Sequence, residues 1–328
     1  VRIVGNDEVV GHLVGQGDIF FSAKISKPFD SFSIYESDIT PDRKELSGKK
    51  AGAILDFETR KNEVIFLKVG FSTISIEQAR KNLGAEVPGW DFNATVKRAR
   101  KAWEKILNTI LVEGKEEYKT IFYTAMYHSY LQPSDITDVD GRYQGYDRQI
   151  HKTEGYTFYD NYAFWDSYRT KYPLFSITVP GVMKDIVRSI LEIHEQAGEH
   201  WFYGDEEHKP HSNGFNSTGK DGYRPFLNCR NEHMLTVVLD AYAKGIIIED
   251  KEKAYQEMYT EVMVQMPDKY ETIGYIPARP DQTCELSYDN WCVAQMAKAV
   301  GRESDYQKFM KRAAFYRNTW DSDIGFFR

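Results

Sequence analysis

The feature that most limits the fold is a change of period near Ser75. Ahead of it, short β-branched and aromatic runs recur at Ile19–Ile25, Ser31–Tyr35, Ala51–Phe57 and Val64–Val69, separated by turn-rich pieces such as Gly48-Lys-Lys50 and Arg60-Lys-Asn62. Runs of that length between turns are strands. Several antiparallel strands bury a common face, and a sandwich is the natural way to do so. Beyond Ser75 the period becomes helical. Ser75 stands three residues ahead of Gln78, the spacing of a capping box. Val96, Ala99, Ala102, Trp103, Ile106, Leu107 and Ile110 then recur at three and four residues.

The same spacing predicts further helices at about 119–131, 160–172, 180–196, 231–244, 250–264, 288–300 and 303–318. Pro180 suits a first helical turn, and Ala241-Tyr-Ala-Lys-Gly245 carries the lysine and glycine of a helix end. Roughly seven or eight helices without intervening strands imply a helical array. The chain starts as if inside a strand, at Val1-Arg-Ile-Val-Gly5, and stops at Ile324-Gly-Phe-Phe-Arg328 without a helix cap. A piece of a longer protein is the expectation, with both ends missing.

Composition excludes some partners. Net charge is -7 and no basic run occurs, which argues against nucleic acid. No stretch of eighteen apolar residues exists to cross a membrane as a helix. Cys229, Cys284 and Cys292 have no CxxC spacing and predict buried thiols rather than a disulfide framework or a zinc site. Asn93-Ala-Thr95 and Asn216-Ser-Thr218 have the form of glycosylation acceptors, a form short enough to arise by chance.

Chemistry concentrates in Tyr159–Arg169, where aromatic rings alternate with polar and charged groups and aliphatic residues are almost absent. Ring faces stack on a sugar's apolar faces while carboxylate and guanidinium bond its hydroxyls. Asp166 and Arg169, three apart, read as hydroxyl-binding groups with Trp165 or Phe164 as a wall; the plainer reading is a structural ion pair. The loop Asp138–Asp147 has the acids of a cation site but not the calcium-loop spacing, so it reads as a turn shaping a pocket rim. His200, His208, His211 and His233 match no short zinc motif and read as loop or rim groups. Glu232 opens a helix, where the dipole stabilises its charge; that suits a hydroxyl ligand better than a general acid. Asp289 reads as a helix cap, and Glu285 as a loop acid beside the same mouth.

Nucleophile-elbow, P-loop and dinucleotide fingerprints are missing from the sequence. Glycoside hydrolysis is the chemistry that remains. It needs two carboxyls, roughly 6.5–9.5 Å apart in inverting enzymes, and no such pair is assignable here.

Taken in order, the chain resembles glycoside hydrolase family 92, calcium-dependent exo-α-mannosidases. The resemblance rests on Ser26-Lys-Pro-Phe29, Lys68-Val-Gly70, Ser75-Ile-Glu-Gln-Ala-Arg80, Phe122-Tyr-Thr-Ala-Met-Tyr-His128, Asp140-Gly-Arg-Tyr-Gln-Gly145, Trp165-Asp-Ser-Tyr-Arg169, Asp240-Ala-Tyr-Ala-Lys-Gly-Ile246, Gly274-Tyr-Ile-Pro277 and Glu285–Ala297. It implies a multidomain β plus α protein. Residues 1–75 would be the C-terminal part of a β-sandwich, 76–118 a helical linker, and 119–328 the first part of an incomplete (α/α)6 toroid. It also implies Ca2+-dependent, inverting removal of terminal α-mannose, α-1,2-linked by expectation, from a mannose-containing glycan or glycoprotein outside the cytoplasm. Asp166 matches an aspartate that contacts the terminal mannose, and the same assignment extends to Arg169 and Trp165 as substrate-binding residues. The acid, the base and most Ca2+ ligands of the family lie beyond Arg328, so this chain alone is expected to be inactive. The segment Gly198-Glu-His-Trp201 departs from the family pattern and bears on linkage specificity. Rival readings are another toroidal glycosidase or phosphorylase acting on α-glucans, and a carbohydrate-binding protein without activity. The mannosidase reading requires the Asp166 carboxylate to face a sugar-binding cleft.

Overall fold

A computed structural model describes residues 1–15, 17–198, 231–246, 249–264, 266–267 and 269–328. The chain divides into two compact units, one built from 1–105, 136–144 and 150–154, the other from 106–135, 145–149 and 155–328.

The first unit contains β1 (Arg2–Val4), β2 (Glu8–Leu13), β3 (Ile19–Ile25), β4 (Ser31–Tyr35), β5 (Ile39–Pro41), β6 (Gly52–Asp56), β7 (Leu67–Ser72), α1 (Ile76–Glu86) and most of α2 (Phe92–Leu107). All its strand pairs are antiparallel, in sheets ordered β1-β2-β3-β7 and β5-β4-β6. Ile3, Val9 and Ile25 of one sheet and Ile34 of the other share one buried cluster with Phe29. The two sheets therefore form a small sandwich, as the alternating runs predict.

The opposite face of the larger sheet takes α1. A Cβ at Gly70 would stand 2.4 Å from the Ala79 carbonyl oxygen and 2.6 Å from the Leu83 Cβ, so only glycine permits this approach. That contact explains why β7 lies at Leu67–Ser72 rather than Val64–Val69: its glycine and serine face the helix while pairing with β3. The Ser75 hydroxyl accepts from the Gln78 N–H at 3.1 Å, as the capping spacing predicts. α2 differs from expectation. No residue of this helix is fully buried, although Trp103, Ile106 and Leu107 of its apolar stripe are half-buried and Phe92 stacks on Phe66 with ring centroids 6.2 Å apart.

The second unit begins with α3 (Glu116–Ser129) and the short strand β8 (Ser134–Asp135). The chain next returns to the first unit for the hairpin β9 (Arg142–Gln144) and β10 (Ile150–Lys152). It continues in the second with β11 (Tyr159–Asp160), α4 (Phe164–Ser167), α5 (Lys171–Thr178), α6 (Pro180–Ala197), α7 (Met234–Ala243), α8 (Lys251–Val264), α9 (Tyr270–Ile273), α10 (Pro280–Ala299), α11 (Glu303–Ala313) and the hairpin β12 (Trp320–Asp321) and β13 (Phe326–Phe327). The core is helical: Ile186, Ile190, Val237, Val238, Met258, Val262, Val293, Met296 and Phe309 are buried.

Several boundaries correct the sequence reading. Short strands do intervene among the helices. The expected helix 160–172 is split into β11, α4 and α5, because β11 pairs with β8. The helix expected from 288 begins at Pro280, with proline in the first turn and Asp281 at its N-terminal end. Its first half was misread because its inward side is polar: Gln282, Thr283, Ser287, Asp289 and Asn290 are buried. Apolar periodicity is blind to such a face. Cys292 is buried, Cys284 is partly buried, and Cys229 lies outside the described residues, as do His200, His208, His211 and Asn216. Among the described residues no helix is long and apolar enough to cross a membrane.

Candidate functional site

The aromatic run sorts itself by helical geometry. Residues one turn apart share a side of a helix, and in α4 Phe164 and Ser167 are buried. Phe164 stacks on Tyr162 with centroids 4.9 Å apart and packs near Tyr172, so these three rings belong to the core. Trp165, Asp166 and Arg169 are thereby turned outward and are exposed.

These outward groups are held unequally. The Trp165 indole Nε1–H donates to Glu285 Oε1 at 2.8 Å. Arg169 donates to the Trp165 carbonyl at 3.0 Å, and its guanidinium lies 4.3 Å from the Tyr168 ring centroid, in cation–π range. Arg169 is thus engaged with the indole's backbone and the phenol ring, and forms no ion pair with Asp166. Asp166 stands at the surface, where no described residue hydrogen-bonds its carboxylate. Exposed in this way, Asp166 does not meet, among the described residues, the cleft that the mannosidase reading requires of it.

Beneath Trp165 lies a buried polar cluster. Glu285 and Asp289 sit four apart on α10, on one side of that helix. They face His233, which ends a 3-10 turn at Asn231–His233 leading into α7. Nδ1 of His233 is 3.6 Å from Asp289 Oδ1, and Nε2 is 4.0 Å from Glu285 Oε2. Both distances exceed a hydrogen bond. The Tyr168 ring stacks on the imidazole at 4.5 Å. Burial would lower the His233 pKa, but the carboxylates of Asp289, Glu232 and Glu285 outweigh it and hold the imidazole above its ordinary value. Burial raises the Asp289 carboxyl against the pull of His233, and raises the Tyr168 phenol to about 12.

Both His233 ring nitrogens and Asp289 Oδ1 are buried without a hydrogen-bond partner among the described residues. A buried polar group left so costs roughly 1–3 kcal/mol, and native proteins keep few of them. Glu232, His233 and Glu285 each offer an atom within 4.8 Å of the others, spacing that suits a shared cation. The donor set does not fit calcium, which takes 6–8 oxygen ligands, because one of its three groups is an imidazole.

The other acids and histidines named from sequence fall elsewhere. Asp289 caps nothing, since it lies inside α10, and Glu285 is a helical residue rather than a loop acid. The loop from Asp138 to Gln144 is an internal brace of the first unit. Asp138 accepts from Ser72 Oγ at 2.8 Å and Asn82 Nδ2 at 2.6 Å. Asp140 is gripped by Arg142 at 2.8 Å, and Asp147 accepts from the Gln149 N–H at 2.9 Å. His233, read as a loop or rim group, is fully buried. What sequence reasoning missed is the meeting of His233 with Asp289 and Tyr168. The four-residue step from Glu285 to Asp289 was a visible signal once Pro280 is taken as the helix start.

Residues 78–328 match the glycosyl hydrolase family 92 catalytic domain. The fold is similar to that of a family GH92 α-mannosidase from Bacteroides thetaiotaomicron, also solved in complex with mannoimidazole: 27% identity, TM-score 0.84, 100% of this chain and 45% of that one. An inverting family GH92 mannosidase of the same bacterium, at 24% identity, is alike in fold with a TM-score of 0.84 over 99% of this chain and 46% of that one. A curated relative, described as an uncharacterized secreted glycosidase of Arthroderma benhamiae, is 24% identical over 306 residues, 84% of this chain and 33% of its own length. The chain thus spans a third of that relative and under half of the solved mannosidases. The family match runs through most of both helical and site-bearing sequence, and the chain belongs to glycosyl hydrolase family 92.

Proposed function

We propose that this chain is part of an exo-acting α-mannosidase that removes terminal α-linked mannose, α-1,2-linked by preference, from glycans or glycoproteins. The observation that carries the proposal is the likeness to an α-mannosidase over the full chain at 27% identity. The site chemistry agrees with it. An exposed indole and carboxylate stand on one short helix with an exposed guanidinium two residues past its end, groups that suit a polyhydroxylated ring.

In this reading Trp165 stacks on the sugar face, Asp166 accepts from its hydroxyls, and Arg169 donates to them. Glu285 fixes the indole and Tyr168 fixes the guanidinium, so the binding groups are pre-oriented and lose little entropy on capture. The helical unit is the first part of an (α/α)6 toroid covering 119–328, after a helical linker at 76–118 and the end of a sandwich domain at 1–75. The general acid and base of an inverting hydrolysis belong to sequence beyond Arg328. Ca2+ dependence is likewise proposed for the full-length protein, with ligands mainly outside this chain, since the cluster found here does not suit that ion. An extracytoplasmic address, periplasmic or cell-surface, follows the same reading and is in keeping with the secreted relative.

The test is hydrolysis of α-1,2-mannobiose by the full-length protein, with product anomer followed by NMR. Expected is release of β-mannose, stopped by chelator and restored by Ca2+. Turnover of α-glucosides in place of mannosides overturns the substrate, and binding of mannosides without turnover overturns the enzyme.

A further inference from the structure

Beyond that reading, we infer that Glu232, His233 and Glu285 form a binding site for a divalent first-row transition ion of the Zn2+ kind. Two independent observations meet here. The first is position: three donor atoms lie within 4.8 Å of one another. The second is the imidazole itself. Its side chain is 0% exposed and both ring nitrogens are unpartnered among the described residues, with Nε2 directed toward Glu285.

The surroundings supply what such a site needs. An imidazole that binds a metal through one nitrogen is commonly oriented by a carboxylate at the other. Asp289 occupies that place, its Oδ1 3.6 Å from Nδ1 and itself unpartnered. Tyr168, stacked on the ring at 4.5 Å, holds its plane. Glu285 is fixed at its far oxygen by the Trp165 indole, which leaves Oε2 toward the histidine. An ion bound at about 2.0–2.2 Å from each donor closes the present 4.0 Å separation of Nε2 and Oε2 by a fraction of an ångström. Capture would satisfy the buried imidazole and balance three clustered carboxylates.

Ion class follows from donor chemistry. One imidazole with two carboxylates suits borderline ions such as Zn2+ rather than Ca2+ or Mg2+, which take oxygen. Glu285, the most accessible member with a side chain 20% exposed, marks the side from which the ion enters. Turnover is not part of the inference, which therefore survives if the mannosidase reading fails.

The experiment is calorimetric titration of Zn2+ into chelator-stripped full-length protein held in saturating Ca2+, repeated with Co2+ while recording its visible absorption. Expected is a Zn2+ equivalent that is lost in His233→Ala and weakened at least about tenfold in Glu285→Gln. Asp289→Asn weakens it about 10–100-fold, the usual cost of losing an outer-sphere carboxylate. The Co2+ bands disappear in the same variants. Far-UV circular dichroism accompanies each variant; should His233→Ala not fold, the partly exposed Glu285→Gln decides. The inference is overturned by no Zn2+ binding, by unchanged affinity in folded Glu285→Gln, or by Ca2+ displacing the ion mole for mole.

Discussion

Two buried acid clusters in this chain are built alike in residue type and differently in bonding. In the sandwich unit, Glu8 takes Ser22 Oγ at 2.7 Å and the Arg80 guanidinium at 2.8 and 3.0 Å. Burial opposes its charge, but Arg80 and Ser22 together bring its pKa below the ordinary value. Asp138, in the same unit, has its own pair of donors. In the helical unit, Asp289 and His233 approach one another without bonding. A satisfied cluster fixes a fold. An unsatisfied one costs stability, and proteins keep such costs where a ligand or a reaction repays them.

The largest effect that would sharpen this contrast is expected at the exposed edge of the site. Asp166→Ala in the active full-length protein should lower kcat/KM by roughly thirty- to several-thousand-fold, the equivalent of about 2–5 kcal/mol for a lost charged hydrogen bond. Steady-state kinetics on a mannobiose checks it, and near wild-type turnover would reduce Asp166 to a surface residue.

A second test concerns a satisfied cluster in the same helical unit. His194 is buried between Glu257 and Glu261, with Nε2 3.3 Å from Glu261. Burial would lower its pKa, but the two carboxylates raise it to about 9. A pKa raised on folding stabilises the protein fully below the unfolded value of about 6.5 and loses that support as pH rises through about 9. Chemical denaturation should therefore lose on the order of 3 kcal/mol across that window. A flat profile would mean that the imidazole is neutral in the folded protein.

Smaller again, Asp138→Ala removes the acceptor of two buried donors and should cost about 1–3 kcal/mol, read as a lower Tm. The smallest effect should be at the other acid: Asp289→Asn is expected to change stability by less than about 1 kcal/mol, because no hydrogen bond to Oδ1 is lost. If Asp289→Asn destabilises as much as Asp138→Ala, the contrast between the clusters collapses.

Much of this was legible in the chain. The strands β3, β4 and β6, the Ser75 cap and the inward stripe of α6, including Met183, Ile186, Val187 and Ile190, follow from period and from a single hydroxyl, whereas β2 at Glu8–Leu13 was not read as a strand. The candidate site was legible only along one segment. Trp165, Asp166 and Arg169 stand out because their residue types are unusual together. The cluster beneath them was hidden for two physical reasons. Its acids lie on a helix whose inward side is polar, so apolar spacing gave no sign of α10 before Tyr288. And His233 meets Asp289 across 56 residues of sequence, a proximity that only tertiary packing creates. The stripe of α2, no residue of which is fully buried, shows the reverse, since periodicity announces an apolar side without saying what covers it.

The bond between Trp165 and Glu285 has a practical consequence for dissecting sugar recognition. Glu285 holds the indole from below, so truncating it frees the wall to swing even if its carboxylate never meets a sugar. A scan by single alanines would then credit Glu285 with an affinity that belongs to the ring. Pairing Glu285→Ala with Trp165→Phe separates the two, because residues acting through one bond give strongly non-additive losses.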